Sequence, residues 1–328
     1  MTTNSNWLGS PDPTRNELVE RALNVSGAGS ILLQTFINRV VQQLTLRELG
    51  LQSALDRRPG SGNAAYINRR TPGSAGGAWV ADTTSATEET GTYTQHNFTY
   101  RTLLTRGKVT RKLQATGRSY GDVLAEELAG KAGDFAEALE EGLIVGDAGA
   151  DANQINGLLT LVNAVSGQVI ANTTATGGDD LALAKLDEAI DAVKGSDNPA
   201  DVIIVGSKTS VRKLNAALQA QQQFNDVTEI AAGFRVRTYD GVPIVKSTSM
   251  PDTLVNDAAG NIATFTAGSN CALAIVNKRY AWIEELTPQT VLPLAKDPSQ
   301  YDQFDIYSDG AFVLANTKGA ALLTNIST

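Results

Sequence analysis

The chain has 328 residues, 42% apolar and 19% charged, enough for one large or two small cores and too balanced for wholesale disorder. A single histidine excludes most acid–base and nucleophilic catalysis, and a single cysteine, Cys271 in the apolar run "CALAIVN", excludes an internal disulfide and fits a reducing compartment. The net charge of −8 divides unevenly: residues 1–118 hold 14 Lys+Arg against 8 Asp+Glu, or +6, and residues 119–328 hold 13 against 27, or −14.

That division favours a basic segment lying on acidic neighbours. An acidic chain overall is repelled by phosphate backbones, so contact between copies of the protein is the better reading than nucleic-acid binding. The start, "MTTNSNWLGSPDP", has neither the basic nor the apolar region of a signal peptide, and no apolar run approaches the roughly 18 residues of a membrane span.

In chain order, residues 1–29 read as a loose polar arm punctuated by Pro11, Pro13, Gly27 and Gly29. From Ser30, Leu32, Phe36, Val40 and Leu44 recur four apart and predict a short amphipathic helix. Residues 57–92 hold six Gly and two Pro among many Ser and Thr, a composition that supplies no large core. Their flanks, "AAYINR" and "YTQHNFTYRTLLTRGKVTRKL", are rich in Tyr, Phe, Thr and Val, and predict a long two-stranded excursion ending near Leu113.

A strong helix is then predicted, capped by Ser119 with Asp122 three residues on, running through Tyr120, Leu124, Leu128, Phe135, Leu139 and Leu143 to Gly146. The turn-rich stretch "LIVGDAGADANQINGLLT" follows. Asp179 and Asp180 open a helix through Leu183, Leu186, Ile190 and Val193, "DVIIV" is a buried strand, and "SKTSVRKLNAALQAQ" is a second helix. "GVPIVKS" is another strand, and Asp252 to Gly268 is a polar loop. Strands close the chain: "CALAIVN", "RYAWIEEL", "QFDIYS", "AFVLAN" and "GAALLTN". The class is α+β, with an arm and an excursion that a monomer could not tuck away.

The candidate chemistries fail one by one. "GRSYG" matches the G-x-S-x-G elbow, but that motif needs a histidine after the serine, and His96 precedes Ser119. Ser119 reads better as a helix cap. "VGSKTS" resembles the tail of a phosphate loop, yet Ser207 separates Gly206 from Lys208, and Ser207 reads as the cap of the next helix. Asp147, Asp151 and Asn153 could offer oxygens to a hard cation, but their spacing fits no calcium loop and no Glu closes the set. The adjacent carboxylates Glu140-Glu141 and Glu284-Glu285 read as solvated or paired with arginine. No metal, cofactor or catalytic residue is expected.

The order of parts, with "EEGLIVGDAGADANQINGLLT", "DVIIVGSKTSVRKL", "GVPIVKSTSMPD" and "AIVNKRYAWIEEL", resembles the major capsid proteins of tailed phages, the Hong Kong 97 family, whose fold encapsulins share. The resemblance covers roughly residues 15–328. It implies an N-terminal arm over 1–50 and an extended loop over 51–113. It implies a peripheral domain over 114–159 and 276–310 with a spine helix at 118–146, and an axial domain over 160–275 and 311–328. Function would be assembly as hexamers and pentamers into an icosahedral shell around double-stranded DNA, with no catalysis. Partners would be copies of the chain, a separate scaffolding protein, a portal and a decoration protein, with no membrane, in a virion assembled in the host bacterial cytoplasm. Inter-subunit contacts would fall on Arg57, Arg58, Arg69, Arg70, Trp79, Glu88 and Glu89, and Gly146, Asp147 and Gly157 would form a structural joint. Some relatives cross-link through a lysine on the extended loop. No lysine precedes Lys108 here, so no such link is expected. An encapsulin-like compartment is the nearest alternative, and a serine hydrolase using Ser119 a more distant one.

Overall fold

The computed structural model describes residues 49–71, 79, 81–84, 90–117, 122–220, 226–231, 234–294 and 301–328. The helix expected from Ser30, the "GRSYG" serine Ser119, and Glu88 and Glu89 lie outside these residues.

A seven-stranded mixed sheet forms one half of the fold, in the order 169–171, 320–327, 270–277, 202–206, 242–246, 234–239, 226–231. Strand Asn270–Asn277 is buried at all eight positions because it sits inside the sheet with both faces covered. On one face the helices Leu183–Asp191 and Lys208–Ala220 bring Leu186, Val211 and Leu214 into a cluster with Ile204, Leu273, Ile275 and Leu323. On the other, Ile203, Val205, Ala274 and Leu322 cluster with Leu143, Ile144, Leu158 and Leu159. Ser207 caps the second helix as expected, its Oγ accepting the Ser210 N–H at 3.0 Å. The polar loop expected over Asp252–Gly268 contains a small hairpin, Val255–Asn256 against Ile262–Thr264.

The second half is a four-stranded sheet in the order 57–59, 281–294, 301–314, 101–110. The sequence places a break between "QFDIYS" and "AFVLAN" at Asp309-Gly310, a pair with turn composition. The structure makes Tyr301–Leu314 one strand of 14 residues. Gly310 is paired with Glu285 on one side and Arg101 on the other, and two ladders outweigh a local turn preference. Pro288 is tolerated in the long strand Ala281–Leu294 because the register shifts on either side of Thr287, which removes the need for its missing N–H. Arg101–Thr110, grouped with the excursion by the sequence reading, is an edge strand of this sheet, and the short helix Arg111–Gly117 follows it.

Across this sheet lies the helix Val123–Val145, whose 23 residues span about 35 Å at ~1.5 Å per residue. Phe135, Leu124 and Leu128 pack on Phe304 and Ile306. The described helix begins later than the expected 118, and its cap is Asp122 rather than Ser119. The Asp122 Oδ1 accepts the N–H groups of Leu124 and Ala125 at 3.1 and 3.2 Å, and its charge faces the positive end of the helix.

The excursion is a sheet of its own, Ala64–Thr71 paired antiparallel with Thr92–Thr99. Two strands alone are marginal in water. This pair is anchored at its base, where Ala65 packs with Trp282 and Val313, helped by Ile67, Phe98 and Tyr100. Among the described residues no helix is long and apolar enough to cross a membrane.

Candidate functional site

The turn-rich stretch 143–160 links the two halves, and its geometry is set by two glycines in contact. Gly146 ends the long helix, donating its N–H to the Gly142 carbonyl at 3.1 Å. Its own carbonyl accepts the Gly157 N–H and the Thr160 hydroxyl, both at 2.8 Å. A Cβ on Gly146 would stand 2.4 Å from the carbonyl oxygens of Gly142 and Ile155, and one on Gly157 would stand 2.7 Å from the Gly146 nitrogen. Only glycine lets these backbones approach. Between them, the Asp147 Oδ1 accepts the Gly149 N–H at 2.8 Å, Asp151 Oδ1 accepts that of Asn153 at 2.9 Å, and Asn156 Oδ1 accepts that of Ala148 at 3.0 Å. The carboxylates that resembled cation ligands thus close Asx turns. Among the described residues no three His, Cys, Asp or Glu converge as a metal site.

A second fastening was missed at the sequence level. Glu140, read there as solvated or arginine-paired, is fully buried on the long helix. Its Oε1 accepts the Leu51 N–H at 2.8 Å and the Ser247 hydroxyl at 2.7 Å, and its Oε2 accepts the Gln52 N–H at 2.7 Å. A remote carboxylate therefore caps the short helix Gly50–Ala54 and ties it to the chain just beyond strand Val242–Lys246. Gly50 makes the approach possible: a Cβ there would lie 2.2 Å from the Lys246 carbonyl oxygen. The available signal was phase, since Glu140 stands four residues before the buried Ile144 and shares its face.

Three of the four arginines proposed as contacts are engaged within their own chain. Arg57 pairs with Glu285, and the Arg58 guanidinium lies 4.0 Å from the Trp282 ring centroid. Arg69 donates to the carbonyls of Ala315 at 2.8 Å and Leu314 at 2.6 Å. Glu284 accepts from the Tyr100 hydroxyl at 2.5 Å and the Trp282 indole at 3.2 Å. Burial, reinforced by Glu284, pushes the Tyr100 phenol up to about 12. Burial and the Arg69 charge lower the pKa of His96, so the one imidazole favours its neutral form.

Arg70 is exposed, and so is its face of the excursion: Tyr66, Asn68 and Arg70 alternate outward opposite Asn97, Gln95 and Tyr93. Trp79 is exposed over its whole surface, at 106% of its reference area. On the open face of the four-stranded sheet, Arg106 grips Asp305 bidentately at 2.6 and 2.8 Å and holds the carboxyl below the usual carboxylate range.

A cavity of about 380 Å³ lies between the long helix, the joint and the four-stranded sheet. Leu139, Gly142, Ile155 and Ile283 line it together with Asn153, Gln154 and the charged Arg101, Glu141 and Glu285. Cys271 is buried elsewhere, its thiol pushed up to about 12 mainly by burial, which makes it inert.

No curated protein matches the sequence. Among solved structures, the fold is similar to the SrpI encapsulin of Synechococcus elongatus PCC 7942 (TM-score 0.65, 14% identity, covering 90% of this chain and 95% of that one). It is likewise similar to the capsid of a native GTA particle (0.62, 16%, 93% and 99%) and of the cyanophage P-SCSP1u (0.60, 15%, 92% and 95%). These likenesses establish a Hong Kong 97-type α+β fold. The family model described as "SU10 major capsid protein" matches residues 68–327, most of the chain from the excursion to the last strand. The chain belongs to the SU10 major capsid protein family, a family of phage structural proteins.

Proposed function

We propose that this chain is the repeating subunit of an icosahedral shell enclosing the double-stranded DNA of a tailed bacteriophage, assembling as hexamers and pentamers and performing no catalysis. The observation that carries the reading is the excursion. A two-stranded sheet fastened to the body along one face by Ala65 and Arg69, with an open Tyr/Asn/Gln/Arg face and a bare indole beyond it, is poorly stable alone and well suited to lie on another copy.

In this reading residues 1–50 are an arm, the extended loop expected over 51–113 ends before Arg101, the peripheral domain expected over 114–159 with 276–310 takes in strand Arg101–Thr110, and 160–275 with 311–328 is an axial domain. Gly146, Asp147 and Gly157 form the joint between the last two. The exposed Arg70 and Trp79, with Arg57, Arg58, Arg69, Glu88 and Glu89, belong to the inter-subunit surface. Arg57, Arg58 and Arg69 act there by stiffening the base of the loop. A separate scaffolding protein and a portal complete the assembly in the host cytoplasm, decoration proteins are a possible addition, and the acidic body lets packed DNA slide rather than adhere.

Electron microscopy of particles made with the phage scaffolding protein tests the reading: nuclease-protected double-stranded DNA supports it, and a lone subunit under all conditions refutes it. The encapsulin likeness, at a TM-score of 0.65, gives a second reading, a compartment with an enclosed enzyme. The contents of purified particles separate the two.

A further inference from the structure

We infer that the indole of Trp79 from one copy seats in the cavity between the long helix and the joint of a second copy. The inference rests on the shell reading above and names the site at which one subunit grips the next.

Three observations converge on it. The first is the indole itself. Trp79 is bare at 106% of its reference area, whereas interfaces characteristically anchor Trp in a desolvated pocket. The second is the receptor. The cavity of about 380 Å³ has the volume of roughly a dozen water molecules, enough for a bicyclic ring. Leu139, Ile155 and Ile283 offer apolar contact to its faces, and the Asn153 side chain that also lines it can accept the indole N–H. Gly142 keeps the wall open: a Cβ there would meet only the Ile155 side chain, at 3.8 Å.

The third observation is direction, which makes the occupant a second copy. The cavity is lined by Gly310, Ala311 and Arg101, beside the base of the excursion, and the excursion runs from there toward the end of the same strand. Ala65 packs at Val313, and Arg69 is bound to the carbonyls of Leu314 and Ala315. The strand therefore leads away from its own cavity. Charge agrees with this pairing. Arg70 is the exposed cation of the excursion, and apart from the buried Glu140 the helix Val123–Val145 carries five carboxylates against one lysine, with Glu141 lining the cavity.

Trp79→Cys combined with Gln154→Cys in one chain tests the pairing, because the native Cys271 is buried. After mild oxidation of assembled particles, a non-reducing denaturing gel is expected to resolve linked oligomers, absent from either single variant. Unlinked chains in intact particles overturn the inference and leave the shell reading standing, and so does equal linking by a Trp79→Cys/Lys318→Cys control. Failure of the unsubstituted chain to assemble at all overturns both.

Two further variants read the same contact without a cross-link. Trp79→Ala and the cavity-filling Gly142→Leu should each raise the concentration needed for assembly by on the order of tenfold while leaving the subunit folded. The double variant should be no worse than either alone, since both remove one contact. Additive losses, or wild-type assembly by both single variants, overturn the inference.

Discussion

Glu140 holds three donors from two other parts of the chain, and its burial makes each of those bonds costly to lose. Removing it leaves the N–H groups of Leu51 and Gln52 and the Ser247 hydroxyl without their acceptor, so Glu140→Ala should destabilise the subunit by about 3 kcal/mol or more. Glu140→Gln preserves the shape but turns an amide NH₂ toward N–H donors, and should recover only part of the loss. Urea midpoints of the two variants at constant m-value check the order. Asp305 is also buried, but beneath a guanidinium that is itself half exposed. Its folded pKa is depressed by Arg106, so the stabilisation is present above the ordinary aspartate value of about 4 and is lost as pH falls through the lowered folded value. The gap in urea midpoint between the parent and Asp305→Asn should therefore be constant near neutrality and narrow below about pH 4. A gap that widens in acid would contradict the assignment.

The joint shows how a few residues decide the relation of whole elements. Gly146→Ala or Gly157→Ala drives a methyl into a backbone it cannot displace, and either should lower the thermal midpoint clearly or prevent folding. Asp147→Ala removes one turn hydrogen bond and should cost only about 1 kcal/mol in the subunit. The same elements mark how far the sequence was legible. The long helix, the buried strand 202–206, the capped helix after Ser207 and the excursion all followed from period and composition, because in each the local preference agrees with the packing. The reading failed where tertiary structure overrides the local signal. Asp309-Gly310 has turn composition but is clamped between two ladders, and Glu140 is a charged residue on a buried face. The cavity was not foreseeable, since Leu139, Ile155 and Ile283 come from three separated segments. Of the proposed contact residues, Trp79 and Arg70 stand exposed, Arg57, Arg58 and Arg69 stabilise their own chain, and Glu88 and Glu89 lie outside the described residues.

For the molecule as a whole, the charge division and the excursion describe a subunit that reaches beyond itself. No lysine precedes Lys108, which lies on an edge strand of the body, so the two-stranded excursion has no amine for a covalent link. Mature particles boiled in denaturant should therefore run as single chains of about 35 kDa, and a ladder of covalent oligomers would refute that. The cohesion must come from buried surface, which for obligate contacts runs to several thousand Å², and partly from attraction between the basic first third and the acidic remainder. Salt should weaken assembly at near-neutral pH more than it weakens the folded subunit. The most direct test of the central claim is the mass distribution of the purified chain across concentration, read by single-particle mass measurement and negative-stain microscopy. Rings of five or six copies, or shells built of them, are expected. A single species of about 35 kDa at every concentration, unchanged by a scaffolding protein, would contradict it.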